Sequence, residues 1–282
     1  MTCHIALAGL GGTAMFSDSQ GSTATAEMHG FQKQVHGRDF LLGGSGHGGV
    51  LHELLGAVSR ANVTSAELEA FLKNYLSENV QSAGQAAVQL LVVTPDAAAK
   101  NIQLFTPGIF KGFSSRAMFN SIGSGSEFVF SAQRRDRIVG LEVANGTLAD
   151  VIIAAEDYAQ AANECLTVDD RFTVGMLVNG SAYMMGDAAI APTHAPNEVI
   201  ESWPEVARRY DEIINMVRMI RGEMRNAQRS FSLGIIYNAE REKFDALSRT
   251  SEANIIMNRA VLEQKLDEYC VWYDGLLKRS PK

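Results

Sequence analysis

Strand-like and helix-like segments come in groups along the first two thirds of the chain, and this grouping constrains the fold more than any single motif. The strand-like segments are residues 4–8, 13–16, 40–42, 87–94, 102–105, 108–118, 172–178 and 181–185. The helix-like segments between them are residues 50–61, 65–76, 128–141 and 148–165. A doubly wound sheet needs strict alternation of strands and helices, whereas grouped elements are typical of layered α+β proteins. We therefore predict an α+β fold.

The chain changes character after Pro192 and Pro196. No strand-like run follows, and a charged, Met-rich helical pattern continues to the end. Pro204 suits the first turn of a helix, because its fixed φ is compatible with that position and its missing N–H is not needed there. The residues predicted to share helix faces are Ile213, Val217, Ile220 and Met224, and then Leu262, Leu266, Tyr269 and Leu276. We predict one domain over residues 1–197 and a helical extension over residues 198–282.

Charge and composition exclude several classes of protein. The chain has a net charge of -7 and a pI near 5.4, so it lacks the basic surface with which proteins neutralise nucleic-acid phosphates. No stretch reaches the roughly 20 apolar residues that cross a bilayer, and no basic segment precedes an apolar one at the N-terminus. The three cysteines are far apart and form no CxxC pattern. We expect a soluble cytoplasmic protein that binds neither nucleic acid nor membrane.

The start of the chain carries a candidate nucleophile. Removal of Met1 exposes Thr2, and a free α-amine can then act as the base for the threonine's own hydroxyl. Asp18 lies at the end of a predicted strand, and Lys33 is the first lysine of the chain. A buried lysine beside an acid can hold the proton of a hydroxyl and lower the cost of forming an alkoxide. These residue types predict nucleophilic catalysis at Thr2.

A Gly-rich segment at residues 43–49 lies between a predicted strand and a predicted helix. Backbone N–H groups at a helix start can form an oxyanion hole. The same segment matches the GxGxxG pattern of dinucleotide-binding folds, and residues 9–14 match its Gly/Ala variant, so a nucleotide site is an alternative. Residues 9–14 are followed by a strand-like run where such a site needs a helix, and residues 43–49 are followed by two predicted helices with no strand that ends in an acidic residue about 20 residues further on. His52 begins an HExxH-like run, but Gly56 replaces the second histidine, so we predict no zinc site.

These motifs occur together in the order found in one family. The segment at residues 2–8, the run at residues 17–19, Lys33 and the Gly-rich turn resemble the opening of proteasome β subunits and their bacterial relatives without a propeptide. Residues 123–129, GSGSEFV, resemble the family's Gly-Ser-Gly-Ser motif. Residues 170–175, DRFTVG, resemble its Asp-x-x-Ser-x-Gly segment, with Thr173 in place of the serine. The resemblance extends over about residues 2–190, and the helical extension has no counterpart in ordinary β subunits.

The resemblance implies a four-layer αββα sandwich of the N-terminal nucleophile hydrolase type, followed by the helical extension. It implies that Thr2 attacks a peptide carbonyl and that Asp18 and Lys33 form the neighbouring charge pair. It further implies that the backbone N–H of Gly46 stabilises the oxyanion. The residues expected to hold the N-terminal amine and its proton-shuttling water are Ser124, Asp170 and Thr173. This chemistry requires no metal and no organic cofactor.

The expected activity is therefore that of a threonine peptidase acting through an acyl-enzyme on a peptide or unfolded protein, in a homo-oligomer. Two alternatives stay open from the sequence. The first is a hydrolase of one small amide, or an acyl transferase, with the same fold. The second is a catalytically silent proteasome-like scaffold that binds a partner through its helical extension. The sequence does not reveal whether an ATPase partner exists.

Overall fold

The structure is a computed structural model that describes residues 3–22, 27–80, 88–95, 102–105, 113–135, 143, 145–166 and 168–278. Its strands are β1 (Cys3–Gly9), β2 (Gly12–Asp18), β3 (Gly21–Ser22), β4 (Glu27–Met28), β5 (Gln34–His36), β6 (Leu41–Gly46), β7 (Val88–Val93), β8 (Ile102–Phe105), β9 (Phe113–Ala117), β10 (Phe119–Gly123), β11 (Phe172–Val178) and β12 (Ser181–Gly186). Its helices are α1 (Gly48–Ala61), α2 (Ser65–Asn79), α3 (Ser126–Arg135), α4 (Leu148–Ala162), α5 (Asn197–Glu201), α6 (Trp203–Ile236) and α7 (Arg241–Leu277).

The described strands form two five-stranded sheets and one two-stranded sheet. The first sheet has the order β10-β1-β2-β11-β12, the second has the order β5-β6-β7-β8-β9, and β3 pairs with β4. Neighbouring strands in all three are antiparallel. The prediction of an α+β protein is confirmed, and the antiparallel pairing agrees with the grouping of strands and helices along the sequence.

Three apolar clusters hold the elements together. The first packs one face of the first sheet against α3, α4, α6 and α7, and the second packs the second sheet against α1 and α2. The third contains residues of both sheets, including Met15, Leu41 and Leu177, and lies between them. Because side chains alternate across a strand, β1 gives Cys3 to the first cluster and turns His4 toward the second sheet.

The hairpin between β11 and β12 shows how the sequence sets the register. Asn179 and Gly180 have φ angles of 49° and 78°, and Val178 faces Ser181 across the turn. A two-residue turn with positive φ at both positions matches the twist of antiparallel strands, and Asn-Gly adopts it at low cost. The hairpin predicted around these residues is confirmed.

The C-terminal helices form a long antiparallel hairpin. Pro204 lies in the first turn of α6, as predicted. The predicted faces are buried, except that Met224 is 45% exposed. The halves of α6 and α7 nearest the sheets contribute residues from Val206 to Ile220 and from Leu262 to Leu276 to the first cluster. No helix in the described ranges is both long enough and apolar enough to span a membrane.

Candidate active site

The site predicted at the start of the chain centres on Asp18, the last residue of β2. Asp18 is fully buried, and its Oδ1 accepts a hydrogen bond from the Cys3 backbone N–H at 2.7 Å. The same oxygen lies 3.1 Å from Lys33 Nζ, which also donates to the carbonyl of Gln20. The structure therefore brings Asp18 and Lys33 together beside the first residue of β1. Thr2, which precedes Cys3 in the sequence, lies outside the described residues.

Burial sets the electrostatics of the Asp18–Lys33 pair. Burial raises the pKa of Asp18, and the nearby positive charge of Lys33 opposes this effect. Burial lowers the pKa of Lys33, and Asp18 opposes that effect in turn. A lysine with a lowered pKa exchanges protons more readily at neutral pH than a solvated lysine does. Each charged group therefore partly offsets the cost of burying the other.

The turn between β10 and α3 packs against Cys3. Gly123, with a φ of 94°, faces Cys3 in the β1–β10 register, and Ser126 Oγ donates to the Gly123 carbonyl at 2.5 Å. A Cβ atom added at Gly125 would lie 2.9 Å from Cys3 Sγ, so the close approach requires glycine. The turn that carries Ser124 is therefore fixed against the first residues of β1. Burial raises the pKa of Cys3 to about 12, which agrees with a packing role for the thiol.

We expect Gly125→Ala to lower the free energy of unfolding by about 1–3 kcal/mol, because the added methyl group overpacks the contact with Cys3. Urea titration of the two proteins measures the difference. Gly275→Ala is the matched control: a Cβ atom there contacts nothing within 4 Å, and alanine favours the helix interior. Equal stability of Gly125→Ala and wild type would contradict the close contact.

The start of β11 lies on the other side of β2. Thr173 faces Ser17 in the β2–β11 register and is fully buried, and its Oγ1 has no hydrogen-bond partner among the described residues. Asp18 Oδ2 likewise has no partner among them. Asp18 faces Phe172 and Thr173 faces Ser17 in this register, so the alternation of side chains places the two groups on opposite faces of the sheet. Such groups in proteins are normally satisfied by a further donor.

Asp170 is exposed, and its neighbour Asp169 makes the contacts near the site. Ser19 Oγ donates to Asp169 Oδ2 at 2.7 Å, and the backbone N–H of Ser19 donates to Oδ1 at 3.2 Å. The negative charge of Asp169 also raises the pKa of Asp18, but by less than burial does. The role predicted for Asp170 stays a prediction. Asp169 was not predicted from the sequence, although its position directly before the DRFTVG segment makes it an equal candidate.

Gly46 ends β6 and has a φ of 124°, a conformation that favours glycine. His47 follows as the N-cap of α1, where its Nδ1 accepts a hydrogen bond from the Val50 backbone N–H at 3.4 Å. Gly46 and His47 are both exposed. The structure thus contains the predicted strand-to-helix turn, with accessible backbone at Gly46.

His4 connects this turn to the Asp18–Lys33 pair, a role that the sequence analysis missed. Its Nε2 lies 2.7 Å from the Gly44 carbonyl oxygen, and its Nδ1 lies 2.5 Å from Ser17 Oγ. Because a carbonyl only accepts, Nε2 carries the proton, and Nδ1 accepts from the Ser17 hydroxyl. The Gly44 backbone N–H in turn donates to the Lys33 carbonyl at 3.4 Å. The available signal in the sequence was a histidine near the start of an otherwise apolar predicted strand.

Close packing explains why glycine occupies two positions of the Gly-rich segment. A Cβ atom at Gly43 would lie 2.5 Å from His4 Nδ1, and one at Gly44 would lie 2.6 Å from Leu51 Cδ2. The strand after α1 and α2 is β7, which pairs antiparallel with β6. Dinucleotide-binding folds place the Gly-rich turn in a parallel βαβ unit, so this geometry disfavours the nucleotide alternative.

The described residues contain no group of three or more His, Cys, Asp or Glu side chains arranged to hold a metal ion. Comparison with known proteins finds no matching family model and no matching curated protein.

Proposed function

We propose that the protein is an N-terminal threonine hydrolase in which Thr2, once Met1 is removed, is the nucleophile. The proposal includes the fold, a four-layer αββα sandwich of the N-terminal nucleophile hydrolase type with a C-terminal helical extension. The three apolar clusters support it, because α1 and α2 cover the second sheet, both sheets contribute to a shared cluster, and α3 and α4 cover the first sheet. The active site would lie where β1 and β11 start and β2 and β6 end.

One observation carries the proposal. Asp18 Oδ1 accepts hydrogen bonds from both the Cys3 backbone N–H and Lys33 Nζ, so a buried ion pair lies against the nitrogen that joins residue 3 to residue 2. A buried ion pair is costly to desolvate and is a candidate functional group when it lies in a site with other polar side chains. Its position beside the second residue of the chain supports an N-terminal nucleophile.

The proposed reaction proceeds through an acyl-enzyme. The Thr2 α-amine takes the hydroxyl proton, Oγ bonds to the substrate carbonyl carbon, and the carbonyl oxygen becomes an oxyanion that the Gly46 N–H stabilises. Collapse breaks the C–N bond, and the leaving amine takes the proton from the α-amine. A water molecule then attacks the ester carbon and gives a proton to the α-amine. The C–Oγ bond breaks, the α-ammonium returns the proton to Oγ, and the acid product leaves Thr2 with its free hydroxyl and amine. The positive charge of Lys33 lowers the energy of the Thr2 alkoxide.

Polar groups near Cys3 support the partners predicted for the N-terminal amine. A protonated amine donates three hydrogen bonds. Thr173 Oγ1 is a buried hydroxyl oxygen without a partner among the described residues, and Ser124 lies in the turn that packs against Cys3. We propose that these groups hold the amine, with Asp170 or its neighbour Asp169 completing the set.

Hydrolysis of peptide amides tests the proposed activity. We expect fluorogenic N-acylated tetrapeptide amides to be cleaved by wild type and not by Thr2→Ala, with Lys278→Ala, an exposed residue at the end of α7, as the matched control. Native mass spectrometry of the same sample reports the homo-oligomer. Cleavage of small acyl amides but not peptides would favour the small-amide alternative. No cleavage of either by a protein that has lost Met1 would contradict the proposal and favour the scaffold.

A further inference from the structure

His52 and His194 form a pair of imidazoles outside the candidate active site. His52 Nδ1 lies 3.2 Å from His194 Nε2, and the ring centroids are 4.6 Å apart with the ring planes tilted by 58°. His52 lies on α1, and His194 lies in the segment between β12 and α5. The fold therefore brings together two histidines from distant parts of the chain.

His194 lies over the position where the HExxH-like run lacks its second histidine. The run begins at His52, and Gly56 stands one helical turn later, at the place of that histidine. A Cβ atom at Gly56 would lie 3.6 Å from His194 Nδ1, so the ring of His194 packs on this glycine. A histidine from another segment thus supplies in space the second imidazole that the helix does not carry.

The distance between the two nitrogens matches that between two ligands of one metal ion. Imidazole nitrogens bind zinc at about 2.0–2.1 Å, so two of them at tetrahedral positions are about 3.3 Å apart. A linear hydrogen bond across 3.2 Å would place the ring centroids about 5.5 Å apart, whereas they lie 4.6 Å apart. The hydrogen bond between the rings is therefore bent, and a rotation of the exposed His52 ring directs both lone pairs to one ion.

One of the two ligands is held in place and the other is accessible. His194 is buried, its backbone N–H donates to Gln32 Oε1 at 3.1 Å, and its carbonyl accepts from Ser59 Oγ at 2.9 Å. His52 is exposed, and a Cβ atom at Gly48, one turn before it, would contact nothing within 4 Å. Water therefore reaches the pair and can fill the remaining coordination positions of an ion.

Arg60 limits the strength of such a site. A Cβ atom at Gly56 would lie 3.2 Å from Arg60 Nη1 and 3.6 Å from His194 Nδ1, so the guanidinium lies close to the His194 ring. Its positive charge repels a bound cation, and two protein ligands hold an ion less firmly than the three or four of most zinc sites. We therefore expect a site of low affinity that responds to the metal concentration.

We propose that His52 Nδ1 and His194 Nε2 together bind one divalent transition-metal ion. Imidazole is a preferred ligand of zinc, and its neutral form, which binds metals, predominates at neutral pH. The site is independent of the chemistry at Thr2, which requires no metal. A bound ion would tie α1, the helix that follows the Gly46 turn, to the segment that leads into the helical extension.

Isothermal titration calorimetry with zinc at neutral pH, after treatment of the protein with EDTA, tests the site. We expect wild type to bind zinc at the pair with a Kd between about 1 μM and 1 mM. His52→Gln should bind about tenfold more weakly or less, because one of the two ligands is lost. A Cys165→Ser, Cys270→Ser background removes two partly exposed thiols that also bind zinc.

His47→Ser is the matched control for His52→Gln. His47 is also exposed and lies at the start of the same helix, and serine keeps an oxygen that can cap the helix. Its affinity for zinc should equal that of wild type. Circular dichroism checks that the variants keep their helices.

Two further variants locate the ion. His194→Gln should weaken zinc binding as much as His52→Gln does. Arg60→Gln should bind zinc about three- to tenfold more tightly than wild type, because it removes the repulsion of the cation. No zinc binding by wild type, equal affinities of wild type and His52→Gln, or an Arg60→Gln variant that binds no more tightly than wild type would each overturn the proposal.

Discussion

Lys33→Met is expected to lower the free energy of unfolding by about 3–5 kcal/mol, because it leaves the Asp18 carboxylate buried without its ion-pair partner. The rate of acylation at Thr2 should fall by about 10²–10⁴-fold at a temperature where the variant is folded. Urea titration measures the first effect, and single-turnover acylation with an activated ester measures the second.

Removing the charge of Asp18 as well separates the two effects. Asn at position 18 keeps an oxygen that can accept from the Cys3 N–H and carries no charge. Asp18→Asn combined with Lys33→Met should therefore recover much of the lost stability, and acylation should stay slow. Additive losses in the double variant would show that the two side chains do not form a coupled pair. Full acylation by Lys33→Met would remove Lys33 from the proposed mechanism.

Acid is expected to destabilise wild type relative to His4→Gln by about 3 kcal/mol between neutral pH and pH 4. Burial lowers the pKa of His4 to about 3 from an ordinary value of 6.5, and the positive charge of Lys33 adds to this effect. In this interval the unfolded chain binds a proton at residue 4 and the folded chain does not. The stability that His4 contributes is therefore complete above pH 6.5 and falls as the pH falls toward 3. Each pH unit changes it by about 1.36 kcal/mol.

The glutamine variant isolates this effect. His36 and His194 also have pKa values lowered chiefly by burial, but they are present in both proteins and cancel in the difference. Gln can donate from its amide to the Gly44 carbonyl and has no proton to bind in this range. Urea titrations of both proteins at pH 7, 6, 5 and 4 measure the difference. A constant difference across this range would show that His4 is not held in its neutral form.

The α+β fold could be predicted because local signals agree with the final structure. The pattern at residues 102–105 matches β8, and the Asn179-Gly180 turn sets one hairpin by its φ angles alone. β10 was missed, because Phe119–Gly123 has one buried apolar residue and depends on pairing with β1 for its strand structure. Long-range pairing of this kind leaves little trace in the local sequence.

The sequence predicted the charged residues of the candidate site, but it did not predict the contacts that connect them. Asp18 and Lys33 were chosen by residue type and order, and they form an ion pair. His4 lay in a run that predicted only an apolar strand, and its hydrogen bond to Gly44 joins residues 40 positions apart. The sequence could not show whether Asp169 or Asp170 contacts Ser19, because the local course of the backbone decides which carboxylate faces it.

The intact mass of the purified protein, measured with and without a β-lactone that acylates N-terminal threonine, decides whether Thr2 is the nucleophile. We expect a protein without Met1 that gains one lactone adduct, and no adduct on Thr2→Ala. A protein that lacks Met1 and forms no adduct, or an adduct that persists on Thr2→Ala, would contradict an N-terminal threonine nucleophile.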